Sequence, residues 1–294
     1  MDLLDKMATF VRVVEAGSFS TAAKQLRISA AAVSRQIATL EGELGSTLLE
    51  RSTRRMSITA SGRRYYERCL AILRDVEDAQ NVARARAVEG LLVVSTPVTF
   101  GLARVVPYLP TLMTKHAGIR IDLRLEDHLV DLALDGIDVA IRVGGALPEA
   151  LIAHPLFSFR RITVASPDYT KRRGEPKTPE ALARHDALAY APGPAADTFS
   201  LSDGERETRV RVNVKFRSNA LHAVRDLALS GSGVALLPDW LVAGDVKSGA
   251  LRRVLPSWTT DPVTVHALHR TIHRGSPRVK ALVEHLRTAY ANDP

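Results

Sequence analysis

The chain has 294 residues, 46% apolar and 24% charged, proportions that suit a globular protein with sequence for two or three domains. Forty basic residues against 32 acidic ones leave a formal charge of +8, which fits a polyanionic partner without requiring one. A single cysteine, Cys69, excludes a disulfide within the chain. With no secretory pattern in Met1 to Lys6 and no apolar run of bilayer length, the expected location is cytoplasmic, away from membrane.

Met7, Phe10, Val11 and Val14 fall at helical spacing, and Gly17 ends the run. Ser18 is placed to cap a short helix, Phe19 to Leu26, whose Ala22 and Ala23 let another helix cross closely. Ser29 is placed to cap that second helix, Ala30 to Gly42, by accepting an early backbone N–H. Val33, Ile37 and Leu40 give the second helix a buried face; Ala31, Ser34, Arg35 and Thr39 give it an outer one. Two short helices across a tight turn make the helix-turn-helix pattern, whose second helix enters a major groove about 12 Å wide. Leu48 and Leu49, then Met56 and Ile58, flank Arg51, Arg54 and Arg55, the pattern of a two-stranded wing with arginines along phosphates. Eight basic and three acidic residues lie between Lys24 and Arg64. Such charge supplies affinity and position rather than sequence choice. The candidate DNA-binding residues are thus Ser29, Ala31, Ser34, Arg35, Thr39, Arg51, Arg54 and Arg55.

From Ala60 to Ala87 there is no proline, and Tyr65, Cys69, Ile72, Val76, Ala79 and Ala83 recur at alternating steps of four and three. That heptad stripe reads as a pairing seam with a second copy, or as a face packed on the chain's own domain. Pairing is the expectation, with all six residues in the seam, because two heads together read a near-palindromic site that one head cannot.

The order of these pieces resembles the LysR-type transcriptional regulators. The resemblance is carried by Ala22-Ala23 with Leu26, Ile28-Ser29, Ala32 to Ile37, Leu40-Glu41, Leu44-Gly45, Leu48-Leu49, Arg51 and Thr59-Ala60-Ser61-Gly62. Many members carry Gln or Pro just after the capping serine, where this chain has Ala30 and Ala31; that leaves Ser34 and Arg35 for direct readout.

Past Gly90, short apolar strands alternate with helices. Strands are expected at Leu91–Val94, Ile119–Leu125, Ile137–Val143, Ile162–Ala165, Val210–Phe216, Val234–Leu237 and Val263–Leu268. Helices are expected at Ala103–Leu112, Leu129–Leu134, Thr178–Arg184, Asn219–Ser230 and Pro277–Tyr290. Such alternation argues for α/β layers with largely parallel sheet. The resemblance extends through Asp138–Arg142, Ser230–Pro238 and Ser276–Val279, and implies a two-subdomain effector domain similar to periplasmic binding proteins. The implied division is a winged helix-turn-helix over 1–59, a linker and dimerisation helix over 60–89, and an effector-binding domain over 90–294. Within the last, subdomain I takes about 91–161 plus 267–294, and subdomain II about 162–266.

In open α/β sheets, ligands sit beyond the carboxyl ends of strands, where helices begin. Ser95 to Thr99 and Ser218 to Ala220 are two such starts, with N–H groups suited to an anion, and Arg142 with Gly144 closes a strand at the same level. Thr96, Thr99, Phe100, Arg142, Gly144, Ser218 and Asn219 are the candidate effector-binding residues, for a small organic anion that bridges the two halves. Thr96 and Ser218 read equally as plain caps, and Arg142 as a salt-bridge partner.

No Gly-x-x-x-x-Gly-Lys loop occurs, Gly231-Ser232-Gly233 lacks the spacing of a nucleophile elbow, and His266, His269 and His273 lack metal spacing. No catalysis, metal or cofactor is expected. The expected function is ligand-responsive transcription regulation by a homodimer or homotetramer, with double-stranded DNA, a small effector and RNA polymerase as partners. A solute-binding protein and an enzyme built on the α/β part are the alternatives.

Overall fold

The computed structural model describes residues 2–51, 56–83, 88–190 and 197–292. Its N-terminal head contains α1 (Leu3–Ala16), α2 (Phe19–Leu26) and α3 (Ala30–Leu44). Each start is capped as its sequence directs: Asp2 and Asp5 form a capping box, Ser18 Oγ accepts the Thr21 N–H, and Ser29 Oγ accepts the Ala32 N–H at 3.1 Å. Phe10, Val13, Ala22, Val33, Ile37 and Leu40 are fully buried where the three helices cross. The wing strands, β1 (Leu49–Arg51) and β2 (Met56–Ile58), pair antiparallel with Leu49 opposite Ile58. Glu41 Oε1 accepts the Leu48 and Leu49 N–H groups at 2.7 and 3.0 Å, which fastens the wing to α3.

α4 (Ala60–Ala83) follows at once. The Thr59 hydroxyl donates to the Thr47 carbonyl at 2.8 Å and accepts the Gly62 N–H at 2.9 Å. A Cβ at Gly62 would lie 2.1 Å from the Leu48 carbonyl oxygen, so only glycine lets α4 start this close to the wing. Within the stripe on α4, Cys69 does not stand in a seam. Cys69 is fully buried in the head's own core, and Tyr65 and Ile72 pack against that core, with Tyr65 5.6 Å from the Phe10 ring. Their apolar partners are in the same chain. Val76 is half-buried and Ala79 exposed, while the Ala83 side chain lies outside the described residues.

The remaining chain builds two five-stranded sheets. The first contains β3 (Glu89–Thr96), β4 (Gly118–Leu125), β5 (Val139–Val143) and β6 (Leu151–Phe159). Helices α5 (Val98–Phe100) and α6 (Leu109–Lys115) lie between β3 and β4, joined by a π turn at Gly101–Val105 and a 3-10 turn at Val106–Tyr108. The second sheet receives β7 (Arg161–Ala165) and, after α7 (Pro167–Arg173), β8 (Asp186–Tyr190). A hairpin of β9 (Thr198–Ser202) and β10 (Glu207–Arg211) precedes β11 (Asn213–Ser218), α8 (Leu221–Leu229), β12 (Val234–Pro238), α9 (Asp239–Ser248) and β13 (Arg252–Arg253). The chain then returns to the first sheet with β14 (Val263–Arg270) and covers it with α10 (Pro277–Ala291). The strand orders are β4-β3-β5-β14-β6 and β11-β8-β12-β7-β13.

Each sheet is mixed, not largely parallel: two neighbouring pairs run parallel and two antiparallel. The antiparallel pairs involve the strands by which the chain crosses between sheets, β6 to β7 and back to β14. β14 joins the first sheet from Val263, so 263–266 pair there and not with the second. The expected helix at Leu129–Leu134 is a turn. Asp131 Oδ1 accepts the Ala133 and Leu134 N–H groups, and Asp135 returns a carboxylate to the Asp131 N–H, so side chains replace helical partners. The expected Val210–Phe216 strand breaks at Val212, because Arg211 ends the pairing with β9 and Asn213 starts pairing with β8. β6 gave no signal because Pro155 interrupts it; it is an edge strand, where a missing N–H is tolerated.

α4 is tied to the first sheet by a buried polar cluster. Asp138 accepts the Val93 N–H at 2.8 Å and faces Arg74 of α4 at 3.8 Å and His273 at 3.9 Å. Burial pushes the Asp138 carboxyl up, against the Val93 N–H, Arg74 and His273, which pull it down. Among the described residues no helix is long and apolar enough to cross a membrane.

Burial pushes the Cys69 thiol up to about 11, although the nearby Tyr65 hydroxyl opposes the shift. Cys69 should therefore be inert to a thiol reagent at pH 8 in the native chain, and should react at the rate of a free thiol only after unfolding. Following alkylation by mass spectrometry with and without urea checks this; prompt native labelling would place Cys69 outside the head's core.

Candidate nucleic-acid face and effector cleft

The outer row of α3 shows Ala31, Arg35 and Thr39 exposed, one above the other at steps of four, with Ser34 half-buried beside them. Small Ala31 near the helix start permits close approach to a groove, while the Arg35 fork matches the two acceptors on a guanine edge. Ser29 is spent on capping, and the Thr39 hydroxyl donates to the Arg35 carbonyl at 2.9 Å, leaving only its lone pairs outward. Lys24, Arg27, Arg63 and Arg64 are exposed as well. Arg51 is in β1 with its side chain outside the described residues, and Arg54 and Arg55 lie outside them altogether. Arg27 adopts φ 56 in the turn between α2 and α3, a left-handed conformation that glycine takes more readily.

A cavity of about 300 Å³ opens where strand ends of both sheets meet. The end of β5 brings Arg142 and Gly144 from the first sheet; the start of β7 brings Arg161, and the end of β8 brings Tyr190, from the second. Its apolar wall is Phe100, Phe159 and Trp240, with Trp240 meeting the two phenyl rings edge-on at 5.7 and 6.0 Å. Arg142 Nη2 and Arg161 Nε are buried without a hydrogen-bond partner, as is the indole Nε1 of Trp240. Burial lowers the pKa of both guanidinium groups, against Glu126 at Arg142 and Tyr190 at Arg161. Burial raises the Tyr190 hydroxyl, Asp127 raises it further, and Arg161 opposes both. Two half-buried cations, each with a buried donor to spare, form a place for negative charge.

Of the seven effector residues expected from sequence, the cavity wall brings together Thr99, Phe100, Arg142, Gly144 and Asn219. Thr96 is fully buried behind it, and Ser218 stands off the wall with its hydroxyl accepting the Ala220 N–H at 3.0 Å. At the helix start the Val98 N–H is already engaged, because Asp127 Oδ1 accepts it at 3.1 Å. Arg161, Tyr190 and Trp240 were missed. Arg161 had one signal, an arginine directly before the apolar run Ile162–Ala165, mirroring Arg142 near the end of its strand; Tyr190 and Trp240 had none. Among the described residues no three His, Cys, Asp or Glu side chains are grouped to hold a metal ion. His269 instead meets His154, Nε2 to Nε2, at 3.0 Å, and its Nδ1 donates to the Arg270 carbonyl.

Known proteins share both halves. Residues 4–63 match the bacterial regulatory helix-turn-helix protein model of the lysR family, and residues 85–291 match the LysR substrate binding domain. An HTH-type transcriptional regulator of Xanthomonas campestris is 36% identical over 98% of this chain and 85% of its own. The HTH-type transcriptional activator TtdR of Escherichia coli is 33% identical over 97% of this chain and 92% of its own. The solved structure of CrgA, a LysR-type transcriptional regulator from Neisseria meningitidis, superposes with a TM-score of 0.64 at 29% identity, covering 98% of this chain and 99% of that one. The chain belongs to the LysR-type family and is a DNA-binding transcriptional regulator with an effector-binding domain, not an enzyme.

Proposed function

We propose that this regulator works in the cytoplasm as a homo-oligomer, reads a dyad-symmetric promoter site with paired α3 helices, and responds to a small organic anion in the cleft. The observation that carries the ligand's sign is the pair of half-buried guanidinium groups, Arg142 and Arg161, in one cavity, each with a buried nitrogen that has no partner. A guanidinium nitrogen buried without a partner is unfavourable, so the cleft suits an anion. Ser29, Ala31, Ser34, Arg35 and Thr39 are assigned to the DNA face with the wing arginines Arg51, Arg54 and Arg55. Within it Ser34 and Arg35 read bases, and the surrounding basic residues hold phosphates. The α4 surface around Val76 and Ala79, which the chain's own head does not cover, is assigned to the pairing of copies. Contact with RNA polymerase follows from the position of the bound site at a promoter, and no residue here fixes whether that activates or represses.

Selection of binding sites by the purified full chain from a pool of random duplexes tests the DNA reading. An inverted repeat should be enriched, with affinity that falls steeply as salt rises. Arg35→Ala should relax the choice at one base pair per half-site by about 1–3 kcal/mol. Enrichment of no motif, or the same motif at the same strength from a Ser34→Ala/Arg35→Ala variant, would sink the assignment.

A further inference from the structure

Resting on the proposed anion-binding cleft, we infer that its ligand is a small dianion, foremost a dicarboxylate, with one acidic group on Arg142 and the other on Arg161. The two arginines come from different sheets: Arg142 from β5 in the first, Arg161 from β7 in the second. They share one cavity wall, and each has a buried N–H nitrogen with no partner. Among the described residues neither makes an ion pair, so the protein supplies two cations and no counter-charge in contact with either. Of the carboxylates near the cavity, Asp127 is engaged by the Val98 N–H, and Glu126 acts on Arg142 without forming an ion pair with it.

Charge balance then sets the ligand class. A monoanion neutralises one guanidinium and leaves the other buried and unpaired, which is the costly arrangement. A dianion neutralises both, and planar carboxylates match the two-pronged guanidinium fork. The middle of the ligand meets Phe100, Phe159 and Trp240, so a short carbon framework is favoured over a bare inorganic ion. Trp240 Nε1, a buried donor without a partner, is available to a further oxygen on that framework. A cavity of about 300 Å³ admits a small diacid.

A second consequence separates a ligand role from a structural one. An arginine that stabilises the fold through its contacts should destabilise the unliganded chain when replaced. Here each arginine is a half-buried cation with one buried nitrogen left unpartnered, so Arg142→Met and Arg161→Met should leave the unliganded melting temperature unchanged or higher, while removing ligand affinity.

The test is calorimetric titration and thermal melting of the full chain at fixed ionic strength. The probes are small saturated, unsaturated, hydroxylated and aromatic dicarboxylates, such as succinate, fumarate, malate and phthalate, each beside its monocarboxylate counterpart. At least one diacid should bind about tenfold or more tighter than its counterpart, the scale of one added charged hydrogen-bonded contact. Either methionine variant should bring that diacid down to the monoacid's affinity without lowering the unliganded melting temperature. Equal affinity for diacid and monoacid would overturn the dianion inference and leave the single-anion reading standing. No binding by any acid of either class would overturn both. A fall in unliganded melting temperature in both variants would make the arginines structural and overturn the inference as well.

Discussion

One buried carboxylate, Asp138, holds the parts of this chain in register. It sits immediately before β5, takes the Val93 N–H at 2.8 Å, and so stitches β5 to β3 at the centre of the first sheet. The same carboxylate faces Arg74 on α4 and His273 after β14, at 3.8 and 3.9 Å. His273 in turn faces Asp75 of α4 at 3.8 Å. A carboxylate this buried persists only where opposite charge and N–H donors compensate its lost hydration. The cluster therefore fixes where the helix that leaves the DNA-reading head meets the sheet. Arg142 lies four residues further along, about 13 Å away for an extended strand. One short strand thus has the junction with the head at one end and a cleft arginine at the other.

The head is built on the same economy of polar contacts. Ser18, Ser29, Glu41 and Thr59 each satisfy backbone N–H groups that helix starts and the wing turn leave without a backbone partner. The glycine at position 62 then lets α4 start against the wing, and Cys69, Tyr65 and Ile72 seat it on α1. The cleft departs from this economy. Its buried guanidinium nitrogens have no partner, a local conflict of the kind that marks a functional site in a chain otherwise consistent with its fold.

Much of this was legible in the sequence, for identifiable reasons. Caps and periodic apolar residues act locally, so α1, α2, α3 and the wing strands could be read from Ser18, Ser29, Gly17 and the Val33-Ile37-Leu40 spacing. The α4 stripe was visible too, but spacing reports that a face is apolar and not what covers it; Cys69 turned out to face its own head. Arg142 and Phe100 stand at strand and helix ends that sequence can locate. Arg161 and Trp240 come to the cleft only through the crossing from β6 to β7 and the return of β12, which are long-range features. Leu129–Leu134 had helical spacing, yet Asp131 and Asp135 captured the backbone first.

If occupancy of the cleft alters how paired heads lie on DNA, a footprint of the full chain on its selected duplex will differ with and without a diacid whose saturation is established by melting. Two protected half-sites one helical turn or a multiple apart are expected on one face of the duplex, with the spacing or extent of protection changed by ligand. A single protected half-site, or an identical footprint at ligand saturation, would contradict it.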